Sequence, residues 1–372
     1  MMKKLGLFLL FFISVFLSNA VPQSIDKAPK LTAENGSLTI DFQTTETAQD
    51  QVKCAFNNSA TVSYSREGRT FLRLDGLLGN PDEINAFIVE LISHYHTDHV
   101  TYSVVEKCLR EGNYSRLIAP YPFLASSRER VFSLIAEKAG ITGDSVPGAD
   151  NTETQDPVLD IAPDGIPEGR NPSIVIGDFY YSSFVVNNGI RVEVFKYQKP
   201  RNANTDGLIF RITHKNVSYL LFGDFDDPGG IENLLDVSAA NEKRSIEIKD
   251  EVSDLTTRIS DAFKGDEDTK NLVGKIIALN SELSGLVILK ADIIKWPHHA
   301  HKFPDNERTN GILREMNEVV DPFYIIWQRY PTQNGFREYI TRFDFSDKFL
   351  CSDDQDIFVI SLFRIEHFFL FG

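Results

Sequence analysis

Two apolar runs in this chain each end in a cluster of histidines, and that pairing constrains the fold more than any other feature. Phe87-Ile88-Val89-Glu90-Leu91-Ile92 leads into Ser93 and then His94-Tyr95-His96-Thr97-Asp98-His99. Far along the chain, Ala291-Asp292-Ile293-Ile294-Lys295-Trp296-Pro297 leads into His298-His299, with His301 close behind. Of the eight histidines, only His214 and His367 lie outside these clusters. Mostly apolar runs of this length suit strands buried on both faces. The loops after such strands are where α/β folds place function. Two strand ends bearing the same donor types predict a fold that brings them together.

The rest of the chain is read around these runs. Leu38–Phe42, Thr61–Tyr64 and Thr70–Asp75 have the alternation of short strands, the last ending at the Gly76 turn. Val100–Arg110 has helical spacing, and residues 141–172, rich in Pro, Gly, Asp and Asn, read as a long loop. Strands are expected again at Ser173–Ile176, Ser183–Val186 and Arg191–Phe195. Gly207–Ile212 and Val217–Phe222 are expected to form a hairpin, with His214-Lys215-Asn216 as its turn. The second hairpin strand ends in Gly223-Asp224-Phe225-Asp226-Asp227. Phe323–Trp327 and Asp356–Leu362 are the clearest late strands.

Residues 241–286 break this pattern. Ile248, Val252, Leu255, Ile259 and Ala262 are spaced four-three-four-three, and so are Leu272, Ile276, Leu279, Leu283 and Leu286. Lys264-Gly265-Asp266-Glu267-Asp268 separates the two series. Narrow seams at heptad spacing, joined by a polar turn, predict an antiparallel, coiled-coil-like helical hairpin.

The start of the chain has a different character. Lys3 and Lys4, then the apolar Leu5–Leu17, then Ser18-Asn19-Ala20 follow the order of a secretory signal peptide over residues 1–20. The apolar stretch falls short of the about 20 residues that span a bilayer. A polar tail at 21–37 and a single domain at 38–372 would follow, with no membrane span after cleavage. A secreted or periplasmic location is expected. The three cysteines, Cys54, Cys108 and Cys351, cannot all pair and sit away from the histidines. A net charge of −15 disfavours non-specific nucleic-acid binding, which relies on Lys and Arg.

His94 and His96, two apart in extended backbone, project to the same side. Imidazole and carboxylate suit a borderline ion such as Zn²⁺. His94 and His96 fit one ion. Asp98 and His99 reach toward a second, and Asp224 and His298 or His299 arrive from two other strand ends. Two ions about 3.5–4 Å apart share and activate a hydroxide at neutral pH.

The His94-x-His96-x-Asp98-His99 pattern resembles the signature of the metallo-β-lactamase superfamily. Leu220-Leu221-Phe222-Gly223-Asp224 resembles that family's strand ending in Gly-Asp, whose aspartate bridges the metals. Asp292-x-x-Lys295-x-x-His298-His299 is similar to a segment of one branch, which contains the hydrolase domain of DNA-uptake competence proteins and secreted phosphorylcholine esterases. The resemblance covers about residues 38–365. It implies an αββα sandwich of two mixed sheets, with the hairpin inserted. It also implies that Asp98 orients the hydroxide or accepts its proton, and that Asp75 and Lys295 support the ligands from behind.

The chain departs from the family in three respects. Its one histidine between the first cluster and Asp224 is His214, set in the expected turn. Asn202-Ala203-Asn204-Thr205-Asp206 resembles the branch's Asn-x-x-Ser-like segment there. Ala300-His301 replaces the branch's Gly-Ser, and the hairpin is extra.

Two functional classes remain open from the sequence. One is an exported metallo-hydrolase using one or two Zn²⁺ (Mn²⁺ being the alternative), acting on a phosphodiester or phosphate ester, with a β-lactam or lactone as the other small-molecule substrate class. The other is a non-catalytic adaptor that docks a protein partner through residues 241–286.

Overall fold

The structure is a computed structural model that describes residues 37–42, 45–46, 54–55, 60–65, 72–74, 89–96, 116–121, 158–161, 173–186, 190–214, 217–262, 269–297, 307–328, 343–352, 356–361 and 364–369. Its early strands are β1 (Ser37–Phe42), β2 (Thr45–Glu46), β3 (Cys54–Ala55), β4 (Ala60–Ser65), β5 (Leu72–Leu74), β6 (Val89–Leu91), β7 (Arg116–Pro120) and β8 (Val158–Ile161). Next come β9 (Ile174–Ile176), β10 (Phe179–Val186), β11 (Ile190–Tyr197), β12 (Leu208–His214) and β13 (Val217–Leu221). Helices α1 (Pro228–Ala262) and α2 (Thr269–Gly285) follow, then β14 (Ile293–Lys295), α3 (Glu307–Val320), β15 (Tyr324–Gln328), β16 (Phe349–Ser352), β17 (Asp356–Ser361) and β18 (Arg364–Phe369). The protein is thus mixed α/β. No helix among the described residues is long and apolar enough to cross a membrane.

Two eight-stranded sheets carry the fold, in the orders β18-β17-β1-β4-β5-β6-β7-β8 and β16-β15-β14-β13-β12-β11-β10-β9. Both are mixed. β5, β6 and β7 run parallel in the first sheet, and β13 to β16 run parallel in the second. The remaining ladders of each are antiparallel. Where their side chains are described, β6, β13 and β14 are buried on both faces, as parallel strands require. Tyr219, Leu220 and Leu221 of β13 are fully buried, and β14 is buried throughout. The two sheets meet where the Arg116 guanidinium of β7 lies 4.3 Å from the ring of Phe184 on β10.

α1 starts on a well-made cap. Asp227 Oδ1 accepts from the amides of Gly229 (3.0 Å) and Gly230 (3.4 Å), and Pro228 takes the first helical position. A side chain at Gly230 would come within 2.7 Å of the Phe225 ring. The helix therefore begins well before residue 241, where the hairpin was expected to start, and before Ile248, where the periodic seam starts. Gly229-Gly230, a breaker in sequence terms, is here a tight contact inside a capped first turn.

The chain divides into two compact units. One contains Lys30–Leu235 and Leu289–Gly372, and the other contains Asp236–Ile288. In the second unit, Ile248, Val252, Leu255 and Ile259 of α1 join Leu272, Ile276 and Leu279 of α2 in one buried cluster, with Leu283 and Leu286 against it. The pair is antiparallel. Asn241 Nδ2 donates to the Val287 carbonyl at 2.9 Å, and Arg244 grips both oxygens of Glu282 at 2.7 and 3.0 Å.

Two local expectations change. Residues 141–172 contain β8, which pairs with β7, because Val158 and Leu159 bury themselves against it. His214 is the last residue of β12, paired with Val217, so it belongs to the strand and not to the turn. The expected signal peptide (1–20), all but Ser37 of the expected tail, Val100–Arg110, Asp75 and His301 lie outside the described residues.

Candidate metal centre

β6 ends at Leu91, and the backbone continues extended through His94 and His96. Alternation sends Tyr95 the other way, where its hydroxyl donates to the Pro120 carbonyl at 2.7 Å. That bond ties the segment to the end of β7 and leaves the two imidazoles together on the opposite side. Their rings meet edge to face, with centroids 4.7 Å apart.

The third donor comes from the other sheet. β13 ends at Leu221, and Gly223 turns the chain with φ of 57°. Asp224 follows and points to His94, with Oδ2 at 3.9 Å from Nε2. His94 Nε2 and His96 Nδ1 stand 3.1 Å apart. The donor atoms of His94, His96 and Asp224 all lie within 4.8 Å of one another. His94 and Asp224 are buried, and His96 opens toward solvent.

This group can hold a metal ion. Two nitrogens bound at roughly 2.0–2.1 Å to a tetrahedral ion stand about 3.3 Å apart, close to the spacing of the two imidazoles. Two imidazoles and a carboxylate also match the donor preference of a borderline divalent ion. A buried carboxylate costs several kcal/mol to remove from water, which a cation among these donors offsets.

The surroundings hold the donors in place. Leu208 N donates to the Ser93 carbonyl at 2.6 Å, joining the end of β6 to the start of β12 across the sheets. Ser93 Oγ lies 3.0 Å from His94 Nδ1. Behind Asp224, the buried ammonium of Lys295 reaches the Gly223 carbonyl at 3.4 Å. Beside it, Asn202 and Asn204 both donate to Asp226, each at 3.1 Å.

The turn at residues 202–207 is anchored from below. Lys196 and Asp206 are both buried, with Nζ on Oδ1 at 2.5 Å, and Nζ also bonds the Asp206 carbonyl. Burial pushes the Lys196 pKa down, and the Asp206 carboxylate opposes that shift.

Of the residues expected in the site, His94, His96 and Asp224 come together, and Lys295 lies directly behind them. Asp98, His99, His298, His299 and Asp75 lie outside the described residues. His214 ends β12 beside Val217, whereas Asp224 follows the opposite end of β13. Sequence reasoning gave no role to Ser93, Gly207 or the Lys196–Asp206 pair. A lysine two residues after Val194, continuing the Val192-Val194 series on one face of β11, was the available signal. Searches against protein-family models and curated proteins give no match to this chain.

Proposed function

We propose that the protein is an exported, metal-dependent hydrolase of phosphodiester or phosphate-ester bonds, built on a metallo-β-lactamase-like αββα sandwich. The observation that carries this reading is the meeting of His94 and His96 from one sheet with Asp224 from the other. Two mixed sheets with their parallel strand ends at one site support the sandwich. Export rests on the charged, then apolar, then small-residue order of residues 1–20.

In this reading His94, His96 and Asp224 hold Zn²⁺, and Asp98, His99 and His298 or His299 complete a place for a second ion. When bound, the metal acidifies water toward pH 7 and polarises the ester oxygen. The chain's own part is positional. The buried His94 and Asp224 fix the ion's place, and His96 sits at the open side, where a substrate enters. Asp98 would orient the attacking hydroxide or accept its proton. Lys295 steadies the backbone that presents Asp224.

The test is metal analysis of the purified protein together with hydrolysis of bis-p-nitrophenyl phosphate, with a β-lactam and a lactone run alongside. Zinc binding and chelator-sensitive phosphodiester cleavage are expected. His96→Ala and Asp224→Ala should each lower activity by more than the roughly 10–100-fold that loss of an outer partner costs. A protein that takes neither zinc nor manganese would sink the reading. Faster turnover of the β-lactam or lactone would reassign the substrate.

A further inference from the structure

We propose that Ser93 is the positioning residue of this centre: its hydroxyl accepts the Nδ1 proton of His94 and thereby commits Nε2 to the metal. The proposal rests on the metal reading above and assigns a task that reading leaves open. A neutral imidazole carries one proton, and only its bare nitrogen can bind an ion. A ligating histidine characteristically donates its other N–H to a fixed acceptor, which sets the tautomer.

The two histidines use different nitrogens. His94 turns Nε2 toward Asp224 and His96, whereas His96 turns Nδ1 toward His94. Metal binding therefore needs His94 protonated on Nδ1 and His96 protonated on Nε2. Ser93 Oγ lies 3.0 Å from His94 Nδ1, within hydrogen-bond reach. With the His94 proton held there, the 3.1 Å bond in the metal-free protein has His96 Nδ1–H donating to His94 Nε2. Loading the metal then moves a proton on His96, the more open ring, and leaves His94 as it was.

Ser93 is built to stay in place. It is almost fully buried. Its carbonyl accepts from Leu208 N at 2.6 Å. A Cβ on Gly207 would lie 2.7 Å from that carbonyl oxygen and 3.0 Å from His94 Cβ. A Cβ on Gly223 would lie 3.0 Å from Ser93 Cβ and 3.2 Å from its Oγ. Two glycines, one just before β12 and one just after β13, thus close around one serine just past β6. The positive φ of Gly223 suits glycine on its own account.

The test labels the histidines with ¹⁵N and records two-bond ¹H–¹⁵N spectra of metal-free and zinc-loaded protein, with zinc affinity by calorimetry. His94 is assigned from the signals lost in His94→Gln. Wild type is expected to show His94 protonated on Nδ1 in both states. Ser93→Ala should bring a mixture of His94 tautomers and a zinc affinity lower by about 10–100-fold. A serine that only filled space would leave the tautomer unmoved. His94 protonated on Nε2 in the metal-free wild type overturns the proposal, even if Ser93→Ala fails to fold. So does a folded Ser93→Ala protein with wild-type tautomer and affinity. If wild type binds no zinc, the metal reading falls and this proposal with it.

Discussion

Lys196 lies near the end of β11, fully buried, with its ammonium 2.5 Å from a carboxylate that is buried as well. Such a pair is a poor source of stability, because desolvating both charges consumes most of their attraction. Its value here is place. Asp206 immediately precedes Gly207, the residue that packs on Ser93 and His94. Lys196→Met should destabilise the protein by about 3–5 kcal/mol, since it strands the Asp206 carboxylate without its cation. Adding Asp206→Asn should recover part of that loss. Urea unfolding of the single and double variants measures both. A single-variant cost below about 1 kcal/mol, the value of an exposed pair, would show that the two charges do not depend on each other. His94, His96 and Asp224 were legible in the sequence because metal chemistry restricts both residue type and spacing. Lys196 was not, because its partner is fixed only by the register of β11 on β12 and the turn between them.

At the scale of elements, the α1–α2 pair is the part most fully written into the sequence. Heptad spacing names the buried residues one by one, and the same leucines and isoleucines form the cluster. Where α1 starts was harder to read, because a cap on Asp227 and a glycine against an aromatic ring leave no periodic trace. β8 was lost for a related reason, as four residues are too few to show alternation. Asn241 and Val287 touch, which joins the two chain ends of the pair. His94, His96 and Asp224 all belong to the other compact unit. Replacing residues 242–286 with a short Gly-Ser linker should therefore leave zinc affinity within about twofold, as expected for independent regions. A loss of about tenfold or more would tie the pair to the site. Activity on small and large esters, measured on the same variant, tests whether the pair acts as a lid: equal retention on both rules a lid out.

For the molecule as a whole, strand alternation announced a mixed α/β fold rich in sheet. The sheet orders were out of reach, since β1 pairs with β17 from near the other end of the chain. Net charge bears on substrate choice. At −15, the protein repels a polyanion, and salt screens that repulsion over a Debye length of about 8–10 Å. If DNA is cleaved at all, its kcat/KM should rise with ionic strength between about 50 and 200 mM, while that of a small phosphodiester changes much less. A steep fall for DNA would reveal a basic track that outweighs the overall charge. The split origin of the donors also bears on how the protein lasts. His94 and Asp224 become neighbours only once both sheets stand. An ion held between them would favour the native state over any state in which the sheets are apart. Durability in the metal-bound protein would then be a matter of how rarely the sheets part.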